Sequence, residues 1–305
     1  MKQLTLFGVS PKKTTKKTKM KRIELFNDNY QNFKVYSIPH AQLIIGDVPY
    51  NLGNNAYASN PVWYNEGDNA KGESDKAGKM FFDTDGNFKP MEFMHFCSQM
   101  LVKEPKVGTD DADVERIGAS GKVKSKAPCM VLFCAFEQLH YFIDLGNRYG
   151  FKHYIPLVFR KNFSAQVLKS NMKIVGNCEY GLVLYKNRLP KFNNEGRMIF
   201  NCIDWTRDTT TPKIHPTQKP VRLLEFLIRL FTDNDDVVID PCAGSGSTLL
   251  AAANCGRRAY GFEIKKDFFA EAQKLISNYN TPDLFCQPEV EARRQRGNKN
   301  YEDLT

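Results

Sequence analysis

The sequence predicts an α/β fold, a doubly wound and mostly parallel sheet with helices on both faces. Three observations predict it. Short apolar runs of strand length alternate with segments of helical spacing. The runs are apolar throughout, the pattern of strands covered on both sides. Two of them stop at an aspartate that opens a proline-containing turn, Asp47 in AQLIIGDVPYNLG and Asp240 in DVVIDPCAGSGST. In doubly wound sheets, strand ends of this kind face the ligand crevice.

Each element follows from local pattern. Residues 1–22 hold eight Lys and Arg and no acid, so they carry nearly all of the +9 net charge. Composition predicts a disordered basic tail there, suited to a polyanionic partner such as nucleic acid. The folded body is expected over 23–286. Within 34–46, KVYSI and AQLIIG predict strands. The stretch 51–90 is polar and Gly/Asn-rich, and a loop of that length predicts a lid, a binding loop or an insertion. PMEFMHFCSQMLVK (90–103) has helical spacing with Pro at its start. Residues 104–126 predict irregular structure.

CMVLFCAF (129–136) predicts a buried strand, and EQLHYFIDLGNRYG a helix closed by Gly150. HYIPLVFRK (153–161) and YGLVLYK (180–186) predict two more strands, and 187–214 is polar with little pattern. Pro220 opens an amphipathic helix. DVVID, a Gly-rich turn, a helix through Ala253, the strand RAYGFEI and a helix from Lys266 to about Tyr279 follow. Residues 287–305 have no core pattern and predict a C-terminal tail.

Several function classes drop out. No run of 18 apolar residues occurs, and no apolar stretch follows the basic N-terminus, so neither a membrane helix nor a secretory signal is expected. The eight cysteines form no CxxC pair and no zinc spacing. A cytoplasmic protein with reduced thiols and no metal is expected.

The turn after Asp240 points to a nucleotide-like ligand. Gly244 and Gly246 let the backbone bend tightly and approach it. Glu263 ends the next strand, where an acid accepts hydrogen bonds from ribose hydroxyls. A phosphate-binding P-loop needs GK[ST], absent here. A dinucleotide fingerprint needs a third glycine where Leu249 stands. The third reading is S-adenosylmethionine, whose charged groups need acids and backbone amides but no pyrophosphate cradle. HPTQKP (215–220) precedes the helix leading into this strand, and its polar side chains are placed to line the same pocket.

The turn after Asp47 suits a planar amine. Asp47 is an acceptor at neutral pH, Pro49 forces Val48 to be extended and so fixes its carbonyl, and Tyr50 offers a flat face. Two acceptors take two N–H donors of an exocyclic amine while the ring stacks on the base. The nitrogen lone pair is then exposed to a methyl donor.

These residues resemble the amino-methyltransferases of DNA, which methylate adenine N6 or cytosine N4. The family's catalytic motif [DNS]PP[YFW] reads here Asp47-Val48-Pro49-Tyr50. Its DPFxGSGT-like cofactor motif reads Asp240-Pro241-Cys242-Ala243-Gly244-Ser245-Gly246-Ser247-Thr248. HPTQKP is similar to the family's motif beside the cofactor. Phe159-Arg160-Lys161 and Cys178-Glu179-Tyr180 to Lys186 resemble a further paired stretch. The catalytic motif precedes the cofactor motif, the circularly permuted order of the beta class. The resemblance covers about residues 23–280.

The resemblance implies a Rossmann-like methyltransferase sheet and S-adenosyl-L-methionine as cofactor. Catalytic residues are then Asp47, Val48, Pro49 and Tyr50. Cofactor-binding residues are Asp240, Cys242, Ala243, Gly244, Gly246, Ser247, Thr248 and Glu263, with His215, Thr217 and Lys219 from HPTQKP. Three departures stand out: Val48 and Cys242 where Pro and Phe are usual, and Phe159 for Trp. Asp at the first catalytic position implies adenine, where Ser implies cytosine. Cytosine N4, and a non-catalytic DNA-binding or replisome protein on the same fold, are the alternatives.

The implied substrate is double-stranded DNA. The target base must leave the stack at a cost of a few kcal/mol, which stacking on Tyr50, worth roughly 1–3 kcal/mol, offsets. Residues 187–214 occupy the family's target-recognition position. Lys161, Arg188, Lys191, Arg197 and Arg207 are candidate phosphate or base contacts. At the N-terminus, Gln3-Leu4-Thr5-Leu6-Phe7 resembles the QLxLF peptide that docks bacterial replication proteins on the sliding clamp, through Gln3, Leu4, Leu6 and Phe7. A monomer and a homodimer are both compatible with the sequence.

Overall fold

The computed structural model describes residues 23–50, 88–105, 115–117, 122–124, 126–162, 166–169, 174–215 and 217–280. The expected basic tail with its clamp-like peptide, nearly all of the 51–90 loop and the C-terminal tail lie outside the described residues.

In chain order the parallel part of the sheet contains β1 (Ile23–Phe26), β2 (Leu43–Asp47) and β5 (Cys129–Cys134), then β11 (Val237–Asp240) and β12 (Arg258–Phe262). β6 (His153–Lys161), β9 (Cys178–Tyr185) and β10 (Cys202–Trp205) complete it. Two small hairpins pair β3 (Glu115–Ile117) with β4 (Lys122–Lys124) and β7 (Gln166–Lys169) with β8 (Ile174–Gly176). The helices are α1 (Pro90–Met100), α2 (Leu139–Arg148), α3 (Val221–Phe231), α4 (Ser247–Asn254) and α5 (Lys266–Asn280).

Among the described residues the main sheet has eight strands in the order β1-β12-β11-β2-β5-β9-β6-β10. All pairings are parallel except the two made by β9. β9 alone therefore runs against its neighbours. The C-terminal ends of β11, β12, β2, β5, β6 and β10 lie along one edge, together with the N-terminal start of β9.

Burial alternates as it must in a pleated strand. Leu43, Ile45, Val131, Phe133 and Val238 pack on one face with α3, α4 and α5, through Leu224, Ile228, Leu249, Ala252 and Ile276. Ile44, Met130, Leu132 and Ile239 pack on the other with α1 and α2, through Phe93, Cys97 and Phe142. Both faces are covered, which is why the strands read as unbroken apolar runs.

The structure corrects three local expectations. KVYSI is not a strand: residues 30–35 form a 3₁₀ helix. Asn29 caps it, its side chain accepting the Gln31 N–H at 3.0 Å, and an Asx cap competes well with a strand only a few residues long. The stretch 104–126 is not wholly irregular, since it carries the β3–β4 hairpin. The polar 187–214 segment contributes β10, which extends the sheet beside β6 through Cys202↔Val158 to Trp205↔Lys161.

Candidate active site

The two acid-ended strands are neighbours. β11 pairs with β2 at Val238↔Leu43 and Ile239↔Ile44, and both strands continue past the last pair to reach Asp240 and Asp47. Two carboxylates therefore stand at the same end of adjacent parallel strands. Each opens a different turn.

On the β2 side, Val48 donates its N–H to the Phe133 carbonyl at 3.2 Å. This carries the β2–β5 ladder one residue beyond Asp47↔Phe133 and sets the direction of the backbone at Val48, whose side chain is buried. The Pro49 carbonyl accepts from Gln138 Nε2 at 3.0 Å. Tyr50 lies half-buried, its hydroxyl 3.5 Å from Glu179 Oε2.

Asp47 is not isolated. Lys219 Nζ donates to Asp47 Oδ2 at 2.6 Å and stands 3.3 Å from Glu179 Oε2. Lys161 Nζ pairs with Glu179 Oε1. A chain of alternating charge, Asp47–Lys219–Glu179–Lys161, thus crosses the site edge from β2 to β6. Lys219 lies 5.0 Å from the Phe133 ring centre and 5.6 Å from that of Trp205, and Lys161 lies 4.8 Å from the latter. Cations over ring faces are attracted by the ring quadrupole.

The charge states follow from this packing. Burial pushes the Asp47 carboxyl above the usual range, and the Lys219 ammonium opposes it. Burial acts on Glu179 in the same sense, but Lys219 and Lys161 outweigh it and hold that carboxyl below its usual range. Lys219 faces two carboxylates, which overcome its burial and keep it protonated.

On the β11 side, Asp240 is buried and accepts the Cys242 N–H at 3.0 Å and a hydrogen bond from Thr248. Burial pushes its carboxyl up to about 7. Gly244 and Gly246 hold φ of +50° and +71°, in the left-handed region. The Gly244 N–H donates to Glu263 Oε2 at 2.8 Å and the Lys265 N–H to Oε1 at 2.7 Å. Ser245 and Ser247 share a hydrogen bond at 2.7 Å where α4 begins. Ala243 is buried, its N–H on the Phe262 carbonyl at 2.9 Å. The His215 ring stacks obliquely on Phe268 at 4.3 Å and lies 3.6 Å from where a Gly244 side chain would begin. Burial, with Lys219 next, pushes His215 down to about 4, so its ring is neutral. Thr217 donates its N–H to the His215 ring at 3.3 Å.

These residues fit S-adenosylmethionine. A buried carboxyl raised to about 7 suits a cationic ligand group. The glycine turn brings backbone close to a ligand. Glu263 keeps acceptor capacity beyond the N–H bonds from Gly244 and Lys265.

The site residues expected from sequence gather in two clusters. Asp47, Val48, Pro49 and Tyr50 cluster at the end of β2. Asp240, Cys242, Ala243, Gly244, Gly246, Ser247, Thr248, Glu263, His215 and Thr217 gather around the β11 turn. Lys219, also expected at the cofactor, places its ammonium on Asp47 and Glu179.

The DNA-contact candidates are split too. Lys161 is drawn into the site by Glu179. Arg207 is exposed two residues past β10, on the site edge. Arg197 is exposed in the stretch leading into β10. Arg188 and Lys191 lie apart from this edge. They follow the C-terminus of the reversed strand β9, so they emerge at the opposite edge. There the Arg188 N–H donates to Glu104 at 3.1 Å, and Lys191 is buried against Asp233 at 2.6 Å and Asp236 at 3.1 Å.

Glu179, Gln138, Phe133 and Trp205 received no role from the sequence. For Glu179 a signal exists: it and Lys161 are opposite charges near the ends of otherwise apolar runs. Once β6 and β9 are antiparallel with Phe159↔Glu179 in register, Lys161 becomes the diagonal same-face neighbour of Glu179.

An α/β sheet with one reversed strand, and with paired acid-ended turns at its switch point, defines a Rossmann-like methyltransferase class. A family model described as DNA methylase, of the N6/N4 type, matches residues 41–274, and the chain belongs to that family. The type II methyltransferase M2.DpnII of Streptococcus pneumoniae is 35% identical over 102 residues, covering 32% of this chain and 37% of that protein. M.PvuII of Proteus hauseri is 41% identical over 95 residues, covering 30% of this chain and 27% of that protein. The chain spans less than two thirds of the length of the curated relatives it matches. The solved M1.HpyAVI–SAM complex shares the fold with a TM-score of 0.56 at 20% identity, covering 83% of this chain and 98% of that one. The PvuII cytosine-N4-specific DNA methyltransferase does so with a TM-score of 0.53 at 15% identity, covering 90% of this chain and 92% of that one.

Proposed function

We propose that this chain transfers a methyl group from S-adenosyl-L-methionine to the N6 amine of adenine in double-stranded DNA, after the base is flipped out. One observation carries the reading. The Asp47-Val48-Pro49-Tyr50 turn and the Asp240-to-Thr248 turn end adjacent parallel strands at one edge of the sheet.

The bound cofactor supplies an electrophilic methyl group. The chain supplies placement. Lys219 occupies Asp47 Oδ2, so Oδ1 serves as acceptor for one amine hydrogen. The Val48 carbonyl takes the second, and the Tyr50 ring covers the base. Held by two acceptors, the amine keeps its lone pair directed away from both, and its surplus proton leaves toward Asp47. Family membership supports methyl transfer to DNA, and the aspartate at position 47 favours adenine. The fold shared with the PvuII enzyme keeps cytosine N4 as the second reading. The Gln3–Phe7 peptide supports docking on a bacterial sliding clamp, which raises the local concentration of sites on newly copied DNA.

The test is methylation of mixed-sequence duplex DNA with labelled S-adenosylmethionine, by wild type and Asp47→Ala, followed by nucleoside analysis. Label in N6-methyldeoxyadenosine, lost in the variant, is expected. Label in N4-methyldeoxycytidine would reassign the base. No transfer by a protein that binds the cofactor would overturn the enzymatic reading in favour of a DNA-binding role. For the clamp, Leu6→Ala with Phe7→Ala is expected to abolish capture by a bacterial clamp while activity on short duplexes persists, and undiminished capture would refute it.

A further inference from the structure

Lys219 ends the charged part of HPTQKP, a motif placed beside the cofactor, yet its side chain turns to the other half of the site. Its ammonium is buried and bridges Asp47 Oδ2 at 2.6 Å and Glu179 Oε2 at 3.3 Å. The Phe133 and Trp205 rings flank it. From this geometry we infer that Lys219 is a positioning residue of the reaction centre, which clamps one oxygen of Asp47 and leaves the other to accept the substrate amine. The inference rests on the proposed methyl transfer and assigns this lysine to the base-binding half of the site.

The physical need is plain. Asp47 and Glu179 are like charges in a poorly solvated pocket, and each raises the cost of ionising the other. Without a cation between them, at least one takes up a proton. Protonation of Asp47 would turn an acceptor into a donor facing an amine that is itself a donor. Lys161 cannot substitute, since its own bond goes to the far oxygen of Glu179. Trp205 completes the arrangement. It belongs to β10, so the segment expected to read the target sequence packs onto both lysines.

The groups facing Asp47 come from every neighbouring element. They are Cys134 of β5, Glu179 of β9, Lys161 of β6, Tyr50 after β2, Asp240 and Cys242 of the β11 turn, and Lys219 itself. Lys219 and Glu179 act on Asp47 in opposite senses. This opposition gives a signature that loss of structure alone does not produce.

The experiment compares wild type, Lys219→Met, Lys219→Arg and Glu179→Gln in the full-length chain. It reads the pH profile of single-turnover methylation and the Kd of S-adenosylmethionine. Lys219→Met is expected to lower the rate at pH 7 by about 100-fold and to move the acidic limb to higher pH by more than one unit. Its cofactor Kd should stay within about threefold of wild type. Lys219→Arg should restore the limb, and Glu179→Gln should move it to lower pH. An unmoved limb in Lys219→Met with a cofactor Kd raised tenfold or more would return the lysine to the cofactor site and overturn the inference. Should Lys219→Met not fold, a Glu179→Gln limb that stays put or rises would overturn it instead. Should wild type transfer no methyl group, the proposed function fails separately. The carboxyl ¹³C titration of Asp47, assigned with Asp47→Asn, then decides: an upward move in Lys219→Met supports the clamp, and no move refutes it.

Discussion

Gln138 ties the Asp47–Tyr50 turn to the strand beside it. Its Nε2 donates to the Pro49 carbonyl at 3.0 Å, and its Oε1 accepts the Ala135 N–H at 3.0 Å. One side chain thus bridges the turn after β2 and the turn after β5. Replacing it with alanine leaves a part-buried carbonyl and a part-buried N–H without this partner, a cost of about 1–2 kcal/mol. If the turn geometry limits the reaction, Gln138→Ala lowers kcat about tenfold with little change in KM for DNA. Steady-state kinetics on one duplex checks this, and a change confined to KM contradicts it.

Much of the sheet was legible because its strands are buried on both faces, so 129–134 and 237–239 read as plain apolar runs. The misses have local causes. KVYSI lost to the Asn29 cap. CIDW at 202–205 has alternating exposure and sits on the sheet edge, where four residues carry too little pattern to stand out from a polar segment. The two site motifs were readable as motifs, because each is contiguous. The charge chain was not, because it joins residues 47, 161, 179 and 219 through the reversal of β9, which no local pattern encodes. The same reversal sent Arg188 and Lys191 to the far edge.

Lys191 is held in ion pairs at the edge opposite the site. It is 9% exposed and pairs with Asp233 and Asp236, of which Asp233 is largely solvated. Lys191→Met should cost roughly 1–2 kcal/mol in urea unfolding, the solvent exposure of Asp233 softening the loss. It should leave the salt dependence of DNA binding unchanged, whereas removing a true phosphate contact reduces the slope by about one. A flatter salt slope in Lys191→Met would place it on DNA after all.

Gly181 is required for a different reason. A side chain there would meet the Leu132 carbonyl oxygen at 2.8 Å and the Phe159 ring at 3.1 Å. The first is backbone inside the β5–β9 ladder and cannot swing aside. Gly181→Ala should destabilise by roughly 1–3 kcal/mol, the cost of overpacking, with an unchanged urea m-value. Because β9 also places Glu179, activity should fall more than the unfolded fraction explains. Wild-type stability in this variant would show that β5 and β9 can separate freely.

Asp240 makes the proposed cofactor half of the site sensitive to pH. Burial raises its carboxyl to about 7, against about 4 in an unfolded chain. The folded state therefore binds more protons than the unfolded state between pH 4 and 7. Stability then falls as pH rises through that window. Asp240→Asn removes the titration while keeping a carbonyl oxygen for the Cys242 N–H, and should stabilise the unliganded protein at pH 8 by on the order of a few kcal/mol. A cationic ligand group beside Asp240 reverses the preference, since it favours the carboxylate. Affinity for S-adenosylmethionine should thus strengthen as pH rises from 6 to 8, with roughly three quarters of a proton released per cofactor near pH 6.5. Neutral His215, pushed down to about 4, adds nothing in that window. Calorimetry in buffers of different ionisation enthalpy measures the release directly. Asp240→Asn should abolish it, and release that persists in the variant would assign the proton to Glu263, the other burial-raised carboxyl of the turn.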